Sequence, residues 1–282
     1  MRNLTSNPVQ LKKQIYPTAA SSKRPVTFSS VALPAEHGSW SLVLEPILLG
    51  LLVAPTWAGL AAAIGAFAFF LLHRPLKLYL NDRRRGRHYE RTKVARQWAF
   101  IYGAVGIFFF TMTWVQSGFG SFLPLLLALP LLLIFLIYDQ RPGRHWQAEL
   151  TAPVAFAAIA STIALAGGWA LWPALALWAF MIARAVPAIL FIRARLRLDK
   201  DKTAEPVPAI LAHVMAVAGV ALLVNASLIP ALGLAAIIIL FGRALWGLSA
   251  YRWRTSVKGL GFLETGFGLL SVILVAIGYW IA

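Results

Sequence analysis

Three ionisable side chains stand where an apolar helix has little use for them. The run LPAEHGSWSLVLEPILLGLLVA, Leu33 to Ala54, carries Glu36, His37 and Glu45. A charge at the centre of a membrane helix costs about 2.5–3.5 kcal/mol even on the lenient insertion scale, so each needs a reason. His37, Ser41 and Glu45 recur at steps of four and form one stripe on a helix. A carboxylate beside an imidazole suits proton transfer, because histidine titrates near neutrality. Glu36, His37 and Glu45 are therefore the candidate catalytic residues. Arg184 lies in another apolar run and requires a counter-charge. Glu45 is the first candidate partner and Glu264 the second. His213, alone in a third run, reads as a hydrogen-bonded packing residue.

The cations are dense. HRPLKLYLNDRRRGRHYERTKVARQW, His73 to Trp98, has nine Lys or Arg against Asp82 and Glu90. Arg74 and Lys77 are one helical turn apart, and Arg84, His88 and Arg91 share a face if this segment is helical. Guanidinium clusters suit phosphate or diphosphate; the same residues also suit anionic lipid headgroups. The candidate substrate-binding set is Arg74, Lys77, Asn81, Asp82, Arg84 and Arg91. Arg141, Arg144 and Glu149 of the second polar segment join it, with Arg193 of the third, and Arg184 and Glu264 within the spans. Asp139, Arg141, Arg144 and Glu149 can form compensating pairs. Asp199 and Asp201 are two apart and face different ways on a helix, which makes a weak Mg²⁺ site. No metal site and no cofactor is identified.

These residues must be positioned by membrane helices. The chain has 282 residues, 60% hydrophobic and 13% charged, with no cysteine; soluble domains carry about 25% charged residues. The absence of cysteine excludes disulfides, thiolate metal sites and a cysteine nucleophile. A net charge of +16 would point to nucleic acid in a soluble protein. Here it marks the cytoplasmic side of a polytopic protein, and nucleic-acid binding is excluded as a function.

Nine apolar runs of spanning length occur, at 37–54, 57–73, 97–115, 120–137, 150–167, 170–192, 208–225, 228–245 and 261–281. With the N-terminus inside, the inner loops are 74–96, 138–149, 193–207 and 246–260. The outer links are 55–56, 116–119, 168–169 and 226–227, and they hold no charge. This asymmetry predicts an all-α polytopic membrane protein of nine transmembrane helices, N-terminus inside and C-terminus outside. Residues 1–30 read as a disordered cytoplasmic tail and 31–282 as one transmembrane domain. The expected location is the cell membrane of a bacterium, and the expected partner is the lipid bilayer itself.

Two family resemblances follow from particular residues. PAEHGSWSLVLEP, then Arg74-Pro75-Leu76-Lys77 and Gly261-Phe262-Leu263-Glu264, resemble the YwiC-like family of bacterial integral membrane proteins over nearly the whole chain after residue 30. More distantly, Pro34, Gly38 and the segment 42–52 are similar to the first helix of the UbiA prenyltransferase superfamily. Asn81-Asp82 echoes the start of its first Asp-rich motif, and Asp199-x-Asp201 with Pro206-Val207 the second. The further Asp of the first motif are replaced by Arg84 or Arg85 and by His88 or Tyr89. The resemblance therefore implies a UbiA-like helical bundle without Mg²⁺-dependent prenyl transfer.

Three functions are open at this point. The first is binding or modification of an isoprenoid or other lipid with an anionic head, held by the Arg and Lys of the inner face. The second is a transporter of a small solute or ion that uses Glu45, Arg184 and Glu264. The third is a non-catalytic assembly partner that meets a soluble protein or anionic lipid through its basic face.

Overall fold

The structure, a computed structural model, describes residues 31–34, 37–86, 89–141, 143 and 145–281, with side chains in the first helix described from Trp40 onward. The expected tail 1–30, Glu36, the His37 side chain, His88 and Arg144 lie outside the described residues. Nine helices are present among the described residues: α1 (His37–Val53), α2 (Trp57–Arg84), α3 (Glu90–Ser117), α4 (Leu123–Asp139), α5 (Trp146–Ala166), α6 (Leu171–Leu198), α7 (Val207–Asn225), α8 (Ala231–Leu248) and α9 (Val257–Ile281). A 3₁₀ turn, Phe119–Phe122, leads into α4. Eight of the helices are long and apolar enough to cross a membrane. This is a multi-pass integral membrane protein.

The exception is α1. Its 17 residues rise about 26 Å, short of a hydrocarbon core about 30 Å thick. The shortfall is tolerable because α1 is an inner element. It packs on α5, α9, α2 and α6, and Val43, Glu45, Ile47 and Leu49 are buried.

The expected inner loops are shorter than hydropathy suggests. The segment 74–96 is mostly helix: α2 runs on to Arg84 and α3 starts at Glu90. Hydropathy falls where the basic residues begin, but backbone hydrogen bonding does not stop there, since Lys and Arg are good helix formers. Arg84 and Arg91 consequently lie on different helices and share no helical face. Likewise α6 runs to Leu198, α8 to Leu248, and α9 starts at Val257.

Small residues let the helices close up. Ala152, Ala155, Ala157, Ala158, Ala160 and Ala164 of α5 are all buried, and α5 is held by α1, α2, α4 and α6. Lipid tails are as apolar as Leu, so helix association in a bilayer depends on such close packing. A Cβ on Gly50 would lie 2.8 Å from Ile163 Cβ. Between α2 and α3 the fit is reciprocal. Phe110 of α3 lies over Gly65 of α2, and Phe69 of α2 lies over Gly106 of α3, with the two rings 5.2 Å apart.

A methyl group at position 65 would stand 2.3 Å from the Phe110 ring. Gly65→Ala should therefore cost about 1–3 kcal/mol through overpacking. Gly103→Ala on α3, where the new Cβ meets nothing within 4 Å, should be neutral or slightly stabilising. Thermal unfolding of both variants in detergent measures the contrast.

Candidate functional site

Four ionisable side chains from four helices meet inside the bundle. Arg184 of α6 donates from Nη2 to Glu45 Oε1 of α1 at 2.7 Å and to the Glu264 backbone carbonyl of α9 at 3.0 Å. Arg243 of α8 donates from Nη1 to Glu264 Oε1 at 2.6 Å. Glu45 is 1% exposed, Arg184 5% and Glu264 6%. Two cations and two carboxylates make the cluster formally neutral, which is what burial of charge demands.

Local sequence makes room for it. A Cβ at Gly268 would lie 2.0 Å from Glu45 Oε1 and 2.2 Å from Arg184 Nη2. Glycine there, one turn after Glu264, lets the ion pair pass against the α9 backbone. The Arg243 guanidinium sits 4.1 Å above the Phe191 ring and 5.5 Å from that of Phe267, a cation–π arrangement that suits a desolvated arginine. Pro46 follows Glu45, and Pro187 follows Arg184 by three residues; both lie inside their helices. Each proline removes an N–H from the helical ladder, so the carbonyls of Leu42 and Ala183 lose their usual donors beside the charges.

The cluster is not fully satisfied. Arg184 Nε, Arg243 Nε and Nη2, and Glu264 Oε2 are buried without a partner among the described residues. His213 on α7 adds another such atom. Its Nδ1 bonds the Ala209 carbonyl at 2.7 Å and its ring stacks on Phe241 of α8 at 5.9 Å, but Nε2 has no partner. His213 thus packs as its sequence setting suggests, with one nitrogen left over next to the charged helices.

The sequence candidates separate into two groups. Glu45, Arg184 and Glu264 converge in the buried cluster. The other candidates among the described residues gather at one end of the bundle, and there most of them bond side chains of other helices or helix ends. Lys77 donates to Asp139 at 2.7 Å, and His73 Nε2 lies 3.1 Å from the same carboxylate. Arg84 donates to Gln140 at 2.8 Å. Arg91 grips both oxygens of Asp82 at 2.9 and 3.2 Å, and Thr92 adds a third bond at 2.8 Å. Arg193 donates to Glu149 at 2.8 Å, and Arg141 lies over the Tyr138 ring at 4.6 Å. Asp139 and Glu149 therefore bond across helices, to Lys77 and Arg193, while Arg144 of the pairs expected within 138–149 lies outside the described residues. Arg74 is half-buried beside Pro75. Asn81 lines a crevice of about 60 Å³ with His73, Lys77, Arg84 and Asp139.

Asp199 and Asp201 are occupied too. Asp199 accepts from Arg195 at 2.9 Å and Arg252 at 3.4 Å, and Asp201 from Arg254. Buried Arg195 also bonds the carbonyls of Gly247 and Trp253, tying α6 to the end of α8. No group of three or more His, Asp or Glu able to hold a metal ion occurs among the described residues.

Sequence reading missed Arg243, which lies five residues from the end of α8 and passes for an orientation charge. Charge balance was the available signal. Glu45 and Glu264 with Arg184 alone leave one buried negative charge over, and a second cation has to be found.

Residues 33–164 match the family model described as YwiC-like protein. This stretch is narrower than the resemblance seen in the sequence after residue 30, and Gly261–Glu264 falls outside it. No curated protein and no solved structure matches the chain. The matched stretch contains Glu45, whereas Arg184, Arg243 and Glu264 lie beyond it, so the cluster joins the matched part to the rest.

Removing one member of a buried pair strands the other. Glu45→Ala should cost about 3–5 kcal/mol, and the double variant Glu45→Ala/Arg184→Ala should cost less than the sum of the two singles. A double-mutant cycle on thermal unfolding in detergent checks this.

Proposed function

We propose that the protein moves a small ion or polar solute across the membrane, with Glu45, Arg184, Arg243 and Glu264 as its intramembrane site. The observation that carries this reading is the incomplete satisfaction of a buried charge cluster. An intramembrane ionisable residue is a functional-site hypothesis by default, and here four occur together with unpartnered Arg184 Nε, Arg243 Nη2 and Glu264 Oε2. A purely structural network gains nothing from orphan polar atoms, each of which carries a desolvation cost. Proline-interrupted helices beside the charges support the same reading, since transporters place substrate sites where helices break.

The lipid-head reading draws on the basic end of the bundle. There Lys77, Arg84, Arg91 and Arg193 already bond Asp139, Gln140, Asp82 and Glu149, and the crevice beside Asn81 is small. The central cluster therefore carries the proposal. The UbiA-like layout rests on the sequence features named above, and an N-terminus inside the cell membrane rests on the uncharged opposite links.

Reconstituted protein on a solid-supported membrane tests the reading through currents evoked by concentration jumps. Jumps of protons, Na⁺, K⁺, amino acids and carboxylic acids should include one that evokes a current. Glu264→Gln and Arg243→Lys, each with a circular dichroism spectrum like that of the parent, should reduce that current at least tenfold. Silence across the whole series, or currents indifferent to both variants, overturns the proposal.

Cysteine accessibility gives a separate check on orientation, because the chain has no cysteine of its own. In intact cells an impermeant maleimide should label Ser227→Cys and should leave Arg85→Cys unlabelled until the membrane is opened.

A further inference from the structure

The outward face of α9 carries a groove that shares only Phe267 with the surroundings of the charge cluster. It has a volume of about 590 Å³ and is lined by Gly259, Phe262, Leu263, Gly266, Phe267 and Leu270, with Thr255 at its head. These positions recur at steps of three and four and so follow one helical face. Along α9 the groove runs from Gly259 to Leu270, or about 16 Å. Gly266 supplies depth by lacking a side chain: a Cβ there would meet nothing within 4 Å. Phe262 and Leu263 are exposed on a helix apolar enough to span the membrane, so this face borders lipid.

The head of the groove is basic. Arg252 and Arg254 are engaged by Asp199 and Asp201. Lys258 is exposed and has no ion-pair partner among the described residues. It stands three residues after Thr255 and one turn before Phe262, at the edge of the groove's head. Exposed Tyr251 and Trp253 lie close by in the chain, residue types that favour the membrane–water interface. The positive end of the α9 dipole adds to the same field.

We infer that this groove holds one acyl chain of an anionic phospholipid whose head sits at Lys258. The occupant follows from the match of an apolar channel of chain-like length to a single unneutralised cation at its interfacial end. The site is independent of the proposed transport, and its test measures lipid rather than current.

Native mass spectrometry of protein taken from nanodiscs of equal phosphatidylglycerol and phosphatidylcholine provides that test. The parent chain should retain phosphatidylglycerol at least threefold over phosphatidylcholine. Lys258→Gln should abolish the preference. Gly266→Leu should reduce retained lipid at least threefold. Gly261→Leu should leave both quantities unchanged, as it adds its side chain to α9 outside the groove, again where a Cβ meets nothing within 4 Å. Equal retention of the two lipids by the parent chain overturns the inference. So does Gly266→Leu retaining lipid as the parent does.

Discussion

The bond between Arg184 and Glu45 is the constraint around which the bundle is arranged. Neither charge can be left alone in hydrocarbon, and neither helix can reposition without exposing one. The pair fixes α1 against α6, and the second bond from Arg184 to the Glu264 carbonyl adds α9. Arg243 then becomes necessary, because Glu264 would otherwise bring an unmatched negative charge. Gly268 follows from the same demand, since any larger residue would occupy the space of the carboxylate and guanidinium. One ion pair thus dictates residue types on four helices.

Apolar packing complements this polar centre. The phenyl rings over Gly65 and Gly106, and the alanine-lined α5, produce contact without any hydrophobic driving force between helices. A short α1 is acceptable because α5, α9, α2 and α6 pack against it. The same closeness leaves little free space around Glu45 and Arg184. The site is accordingly enclosed, and any solute moving through it requires the helices that carry Pro46 and Pro187 to shift.

The charged end of the bundle works differently. Its acids are few and three of them are shared: Asp139 serves Lys77 and His73, Asp82 serves Arg91 and Thr92, and Asp199 serves Arg195 and Arg252. These bonds tie helix ends together and leave a surplus of cations. Lys258 at the head of the α9 groove belongs to that surplus.

Hydropathy and charge placement alone determined that this chain is a multi-pass helical membrane protein and located the spans closely, because an unsatisfied backbone in lipid admits few alternatives. The same logic made Arg184 conspicuous and named Glu45 and Glu264 as its neighbours. Hydropathy could not say where helices end, since a helix continues past the apolar boundary when its charged residues can reach water; hence 74–96 read as a loop and folded mostly as helix. Nor could it see Arg243, whose membership in the cluster depends on α8 facing α9. Only tertiary structure decided which acid each arginine meets. Partners separated by as many as 139 positions along the chain leave no periodic trace, and the choice rests on which helix faces close at van der Waals distance.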